Sequence, residues 1–281
     1  MQPRPWYQRQ RRLVYTPRMP KVEKNLPGSF SWIELATTDQ EGAKRFYTSL
    51  FGWDVIDHPM GPNEVYSTFQ LQGLNVGATY SMRPEQRSQG VPSHWLLYIA
   101  TPNADNTAAR AKELGANILA PAFDVFDMGR MAVIQDPTGA AFAVWQAYKS
   151  EGLEIVGEIN TLSWADLSTN NVENAKRFYK DLFGWKVEVG EKDPTGYMHI
   201  QNGDVMIGGI PPSKYRDPGT PPFWMIYFAV TDCDAVTAKA KELGGAVYMP
   251  PSTMEDVLRI AILADPQGGV FALFQDLKAS R

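Results

Sequence analysis

The chain has 281 residues, 44% of them hydrophobic and 21% charged, with a net charge of −4. That describes a globular protein long enough for two ordinary domains. A single cysteine, Cys233, excludes an internal disulfide and a cysteine-rich zinc site. No run of about 18 apolar residues offers a membrane span, and no basic face for nucleic acid is expected on the folded part.

Residues 1–28 read as a basic arm. Arg4, Arg9, Arg11, Arg12, Arg18, Lys21 and Lys24 stand against one acid, Glu23. The arm lacks an apolar signal core, and a disordered extension is the expectation. An upstream mis-assigned start, with Met19 as first residue, is one alternative. A targeting or nucleic-acid arm is another. The lone cysteine suits a reducing cytoplasm, the expected location.

The first module is placed at 29–148. Phe30 to Thr37 has strand character. Thr38-Asp39-Gln40-Glu41 has the spacing of a capping box, with Thr38 as the cap. Ala43, Phe46, Tyr47 and Leu50 then mark one helical face, and Gly52 stands where a left-handed cap ends the helix. Strands follow over 53–57, 66–72 and 75–80. A second strand at 95–100 leads to a helix at 104–114 with Gly115 as its stop. The last strands lie around Ile118, at 131–135 and at 141–146. The Asp136-Pro137-Thr138-Gly139 turn joins the final pair.

Residues 149–158 form a short linker, and the same grammar then returns over 159–276, with a tail at 277–281. SWADLSTNNVENAKRFYKDLFGW (163–185) echoes SWIELATTDQEGAKRFYTSLFGW (31–53) without a gap, at an offset of 132. Farther on the offset is 129: DPQGGVFALFQ (265–275) echoes DPTGAAFAVWQ (136–146). A repeat of this length is a duplicated module, too long for a solenoid unit. Each module is two βαβββ units, which makes the chain α+β.

These features resemble the vicinal oxygen chelate superfamily, which holds glyoxalase I, bleomycin- and fosfomycin-resistance proteins and extradiol dioxygenases. The resemblance rests on the AKRFYxxLFGW helix exit and the DPxGxxFAxxQ module end, and covers Ser29 to Asp276. It is strongest to a bacterial two-module glyoxalase-like subgroup. It implies that each module curls into an open eight-stranded cup holding a divalent metal and a small substrate. The family's ligand positions, usually His, His and Glu, fall here on Trp32, Leu96 and Ala143. In the copy they fall on Trp164, Met225 and Ala272. None of the six can ligate a hard divalent cation. The three histidines, His58, His94 and His199, make no pair at ligand spacing. No cofactor is therefore expected; a divalent metal weakly held by Glu34 and waters is the disfavoured alternative.

Alternation of period two puts Trp32, Glu34 and Ala36 on the concave face, and Trp164, Asp166 and Ser168 in the copy. Tyr98, Trp145, Tyr227 and Phe274 join them. Trp32, Tyr98, Trp145, Trp164, Tyr227 and Phe274 are the candidate ligand-binding residues, and Glu34 and Asp166 the candidate catalytic ones. Each acid either meets a ligand or acts as a base, or is neutralised by Arg130 or Arg259. The aromatics either take a ligand or simply fill the cup as core.

The leading expectation is a glyoxalase-like protein that binds a small aromatic or amphipathic molecule without the family's metal. The alternatives are a lyase, isomerase or hydroxylase working through Glu34 and Asp166, and an interaction protein with a vestigial site. The expected partner is a small organic ligand, with no nucleic acid and no membrane. A monomer suffices, because two modules are already fused; a homodimer is the other option.

Overall fold

The computed structural model describes residues 21–62, 64–190, 195–217, 219–254 and 256–278. Residues 1–20, with both candidate starts, lie outside the described residues, as do 279–281 of the tail.

The first module runs β1 (Phe30–Thr37), α1 (Gln40–Phe51), β2 (Asp54–Gly61), β3 (Glu64–Leu71), β4 (Leu74–Ser81), α2 (Pro84–Ser88), β5 (His94–Ala100), α3 (Ala104–Glu113), β6 (Asn117–Val125), β7 (Gly129–Gln135) and β8 (Ala141–Ala147). The second runs β9 (Leu162–Ser168), α4 (Val172–Phe183), β10 (Lys186–Val189), β11 (Met198–Asn202), β12 (Val205–Ile210), β13 (Phe223–Ala229), α5 (Cys233–Glu242), β14 (Ala246–Met254), β15 (Leu258–Ala264) and β16 (Val270–Asp276). The short α2 has no forerunner in the sequence pattern.

Each module closes one eight-stranded sheet from its own strands. The orders are β2-β3-β4-β1-β5-β8-β7-β6 and β10-β11-β12-β9-β13-β16-β15-β14. The fold is α+β, two duplicated modules in tandem. The central β1 and β5 are antiparallel, and each has a parallel partner on its other side, β4 and β8.

The first helix begins one residue later than the capping-box pattern predicts. Asp39, not Thr38, is the cap, and its carboxylate accepts from the Gly42 amide. An ionised cap accepts more strongly than a hydroxyl and suits the positive end of the helix. Asn171 caps α4 with its neutral side-chain carbonyl, which accepts from the Asn174 amide. Gly52 and Gly184 end these helices at φ 71° and 74°, where an L side chain would be strained.

Alternation divides each sheet. Ile33, Leu35, Leu97 and Ile99 face the helices and share one continuous core with Phe228, Phe271 and Leu273 of the second module. The opposite faces carry two separate small clusters, Leu96–Tyr98–Met131–Ala143 and Met225–Tyr227–Ala272. The modules therefore pack by their helix-side faces, and the cup faces point away from the shared core.

The repeated motifs explain that packing. Tyr47, from the FY pair of α1, donates 2.9 Å to Asp265, the turn aspartate of the second module. Tyr179 of α4 donates 2.9 Å to Asp136, its counterpart in the first. Each phenol accepts 3.0 Å from an indole, Trp95 or Trp224. The Trp closing each FGW exit donates across the interface to a backbone carbonyl, Trp53 to Asn160 and Trp185 to Gly28.

The linker is part of the fold. Leu153 and Ile155 are fully buried. The Leu153 amide donates to Ser31 at 2.7 Å and the Glu154 amide to Asn75 at 2.9 Å, so the linker bridges the starts of β1 and β4. Gly152 (φ 102°) makes this approach; a Cβ there would run into the Ser31 carbonyl.

Candidate functional site

On the first cup face, β1 and β5 set Trp32 against Tyr98 and Glu34 against Leu96, while β8 sets Ala143 beside Tyr98. Glu34 lies at the floor. Its Oε1 accepts from the Tyr98 hydroxyl at 2.5 Å and its Oε2 from the Tyr66 hydroxyl at 3.0 Å. Tyr66 in turn accepts from Trp32 Nε1 at 2.9 Å. Trp145 stands edge-on to Tyr98, 6.5 Å between centroids, and is anchored by its indole to the Ser150 carbonyl at 2.9 Å. Trp32, Tyr98, Trp145 and Glu34 thus come together as one cluster.

The second cup repeats the plan. Asp166 accepts from Tyr227 at 2.9 Å, Tyr197 at 2.5 Å and Trp164 Nε1 at 2.9 Å. Trp164 also lies 2.8 Å from the Tyr197 hydroxyl. Trp164 and Phe274 pack against Tyr227 and Ala272. The two cups solve one size problem differently. Glu34 pairs across β4 with Ala78, whereas the shorter Asp166 pairs across β12 with Gly209. A Cβ on Gly209 would collide with the Tyr197 ring, so its absence lets that ring settle onto the sheet and reach the shorter acid.

Burial raises the pKa of Glu34 and of Asp166, and the hydrogen bonds from their phenols oppose the rise without cancelling it. The phenols of Tyr66, Tyr98, Tyr197 and Tyr227 are pushed well above the ordinary range, first by burial and then by the neighbouring carboxylate. They stay protonated, and every hydroxyl of the clasp points at the acid. The carboxyl can accept further from a ligand donor or, once protonated, donate to a ligand oxygen.

The expected neutralisation by arginine does not occur. Arg130 bonds Asp105 and Asp124, and Arg259 bonds Asp234 and Thr253. Met131 holds the cup face, so Arg130, one residue earlier, falls on the helix side beside α3. Sequence reasoning also missed Tyr66 and Tyr197. They lie 32 and 31 residues beyond their acids, and that one-residue difference hides the match from an ungapped self-comparison. Cys233 is buried, with its thiol pushed up to about 11 chiefly by burial, so it is a poor nucleophile.

The cup-floor residues do not fit a divalent metal. Trp32, Leu96 and Ala143, like Trp164, Met225 and Ala272, offer no hard donor, and each acid is already held by phenols. His94 pairs with Ala36 at the end of the cup face, its Nδ1 2.8 Å from the Pro92 carbonyl, and His58 bonds Thr68 at 3.0 Å. No group of three His, Cys, Asp or Glu able to hold a metal occurs among the described residues.

The sequence model of the Glyoxalase/Bleomycin resistance protein/Dioxygenase superfamily matches residues 29–144 and again 161–273. The chain belongs to that superfamily. It is 40% identical over 265 residues to the "Putative glyoxylase CFP32" of Mycobacterium tuberculosis, covering 92% of this chain and 98% of the relative. It is 34% identical over 269 residues to the anthracycline biosynthesis protein DauV of Streptomyces sp. strain C5, covering 89% and 94%. Among solved structures, the Mn(II)-bound glyoxalase from Novosphingobium aromaticivorans shares the fold, with a TM-score of 0.61 at 15% identity over 89% of this chain and 83% of that one. The superfamily fold is thus kept while the positions of its metal ligands carry aromatic and apolar side chains. No helix among the described residues is long and apolar enough to cross a membrane.

Proposed function

We propose that this protein binds a small planar aromatic or amphipathic molecule in its cups without the superfamily's metal. The observation that carries the reading is the acid–phenol clasp, present in both modules on the cup face that bears the positions where the resemblance places metal ligands. A ligand entering a cup meets half-buried Trp32 and Trp145, or Trp164 and Phe274, and stacks on them. The carboxyl beneath accepts one ligand donor. A relative named for the biosynthesis of anthracyclines, a class of fused-ring aromatic molecules, supports an aromatic ligand.

Native mass spectrometry and elemental analysis of the purified chain test this reading. A co-purified organic molecule, lost in the Trp32→Ala/Trp164→Ala double variant, is the expected result. Stoichiometric Zn, Ni, Mn or Fe would sink the metal-free part. The raised pKa of both acids favours a second reading, an enzyme using Glu34 or Asp166 as general acid or base. Turnover abolished by Glu34→Gln/Asp166→Asn, with binding retained, would select it.

A further inference from the structure

The second cup has an arginine at its mouth that a cup-face side chain holds in place. Arg216 follows a 3-10 turn at Ser213–Tyr215 and is half-buried. Its Nε donates 3.0 Å to Ser168 Oγ, and its Nη2 donates to the Thr220 carbonyl. Ser168 is two residues beyond Asp166 on β9 and pairs with Phe223, so it shares the cup face with Trp164 and Asp166. Among the described residues, the ion pairs occupy other cations and leave Arg216 without a carboxylate.

The duplication supplies an internal control. At the offset of 129, Arg87 matches Arg216. Arg87 is exposed, and it donates to the backbone carbonyls of Met82 and Thr38. At the offset of 132, Ala36 matches Ser168 and has no acceptor to turn an arginine inward. Arg87 is thus tied to backbone carbonyls before α2 and just past β1, whereas Arg216 is held by a side chain on the cup face.

A guanidinium held by two bonds keeps its remaining donors in a fixed fork, the geometry that matches a carboxylate. Ser168 accepts from Arg216, so its own hydroxyl proton is available to a second oxygen of the same anion. The acid at the floor lies two residues away, roughly 7 Å along the strand, about one aromatic ring farther in. We infer that the second cup takes a planar aromatic carboxylate. Its carboxylate lies on Arg216 and Ser168, and its ring between Phe223 and Trp164, whose indole reaches Asp166. The inference rests on the reading of the cups as aromatic binding sites.

Calorimetric titration of the full chain with 2-naphthoate and with 2-naphthamide tests it. Wild type is expected to bind the acid about tenfold tighter than the amide or better, as a charge-assisted hydrogen bond provides. Arg216→Gln removes that advantage and leaves amide binding as it was. Arg87→Gln changes neither. Equal affinity for acid and amide in the wild type overturns the inference, whatever the variants do, and so does an advantage that survives Arg216→Gln. If both probes bind equally and Trp164→Ala weakens both, the charge assignment fails while the cup reading stands. If neither probe binds, both fail.

Discussion

The two modules agree where they face each other and differ where they face outward. Across the interface, indole, phenol and turn carboxylate form the same chain in both directions, at 3.0 and 2.9 Å each time. In the cups, the first acid has two side-chain donors and the second has three. One arginine is tied to backbone carbonyls alone, the other also to a cup-face hydroxyl. A reciprocal interface ties any change in one copy to the other, because each tyrosine serves its neighbour's turn. A cup answers only to what enters it, so the copies are free to diverge there.

The largest expected effect tests the symmetric half of this comparison. Tyr47→Ala and Tyr179→Ala each empty a fully buried aromatic position and take the phenol from a buried aspartate. Each aspartate keeps the backbone donors on its other oxygen, so the lost aromatic volume sets the cost, about 3–5 kcal/mol in denaturant unfolding and nearly equal for the two. A clear inequality would break the equivalence of the two interface clasps.

Next come the cups. Tyr98→Phe leaves Glu34 with one phenol and should cost about 1–3 kcal/mol. Tyr227→Phe leaves Asp166 with Tyr197 and Trp164, and should cost about 0.5–1.5 kcal/mol. The reverse order in thermal or urea unfolding would show that donor number does not set the clasp's strength.

The pH dependence sharpens the point. Both acids have folded pKa values raised by burial from ordinary values of 4.5 and 3.8. Their stabilising contribution is therefore fully present below those values and is lost as pH rises through the folded ones. Relative to Glu34→Gln/Asp166→Asn, the wild type should gain stability as pH falls from 7 toward 4.5. Other carboxylates, including Asp57, Asp105 and Asp234, have lowered pKa values and pull the opposite way, so only the difference between the two proteins is diagnostic. A difference that is flat with pH would mean that the clasps do not retain protons.

The smallest effect concerns the cup hairpins. Phe126 holds φ 50° at the β6–β7 turn while 69% exposed, and Asp256 holds φ 55° at the β14–β15 turn. A bulky residue is strained there, whereas Asp and Asn tolerate it. Phe126→Asn should raise stability by up to about 1 kcal/mol, and Asp256→Asn should leave it nearly unchanged. Equal shifts in melting temperature would remove this difference between the turns.

Much of the scaffold was legible because its rules are local. Alternation along one strand assigned Trp32 and Glu34 to one face, and the same rule, applied to Tyr98 and Trp145, brought the first cup's cluster together. Where a competing local group existed, the reading slipped: Asp39 displaced Thr38 as the helix cap by offering a stronger acceptor. Alternation also argues against Arg130 as the partner of Glu34, since Arg130 adjoins a cup-facing Met131.

The sequence by itself determined the duplication, the two βαβββ halves of each module and the inward acid on each first strand. Each follows from residues a few positions apart, where helix and strand periods act. Only the tertiary structure decided what the acids meet. Tyr66 reaches Glu34 because β4 separates β3 from β1 by one strand, and Tyr197 reaches Asp166 because Gly209 leaves room beneath its ring. Strand order and cross-strand volume join residues that chain spacing does not relate, and the chemistry of both cups rests on those meetings.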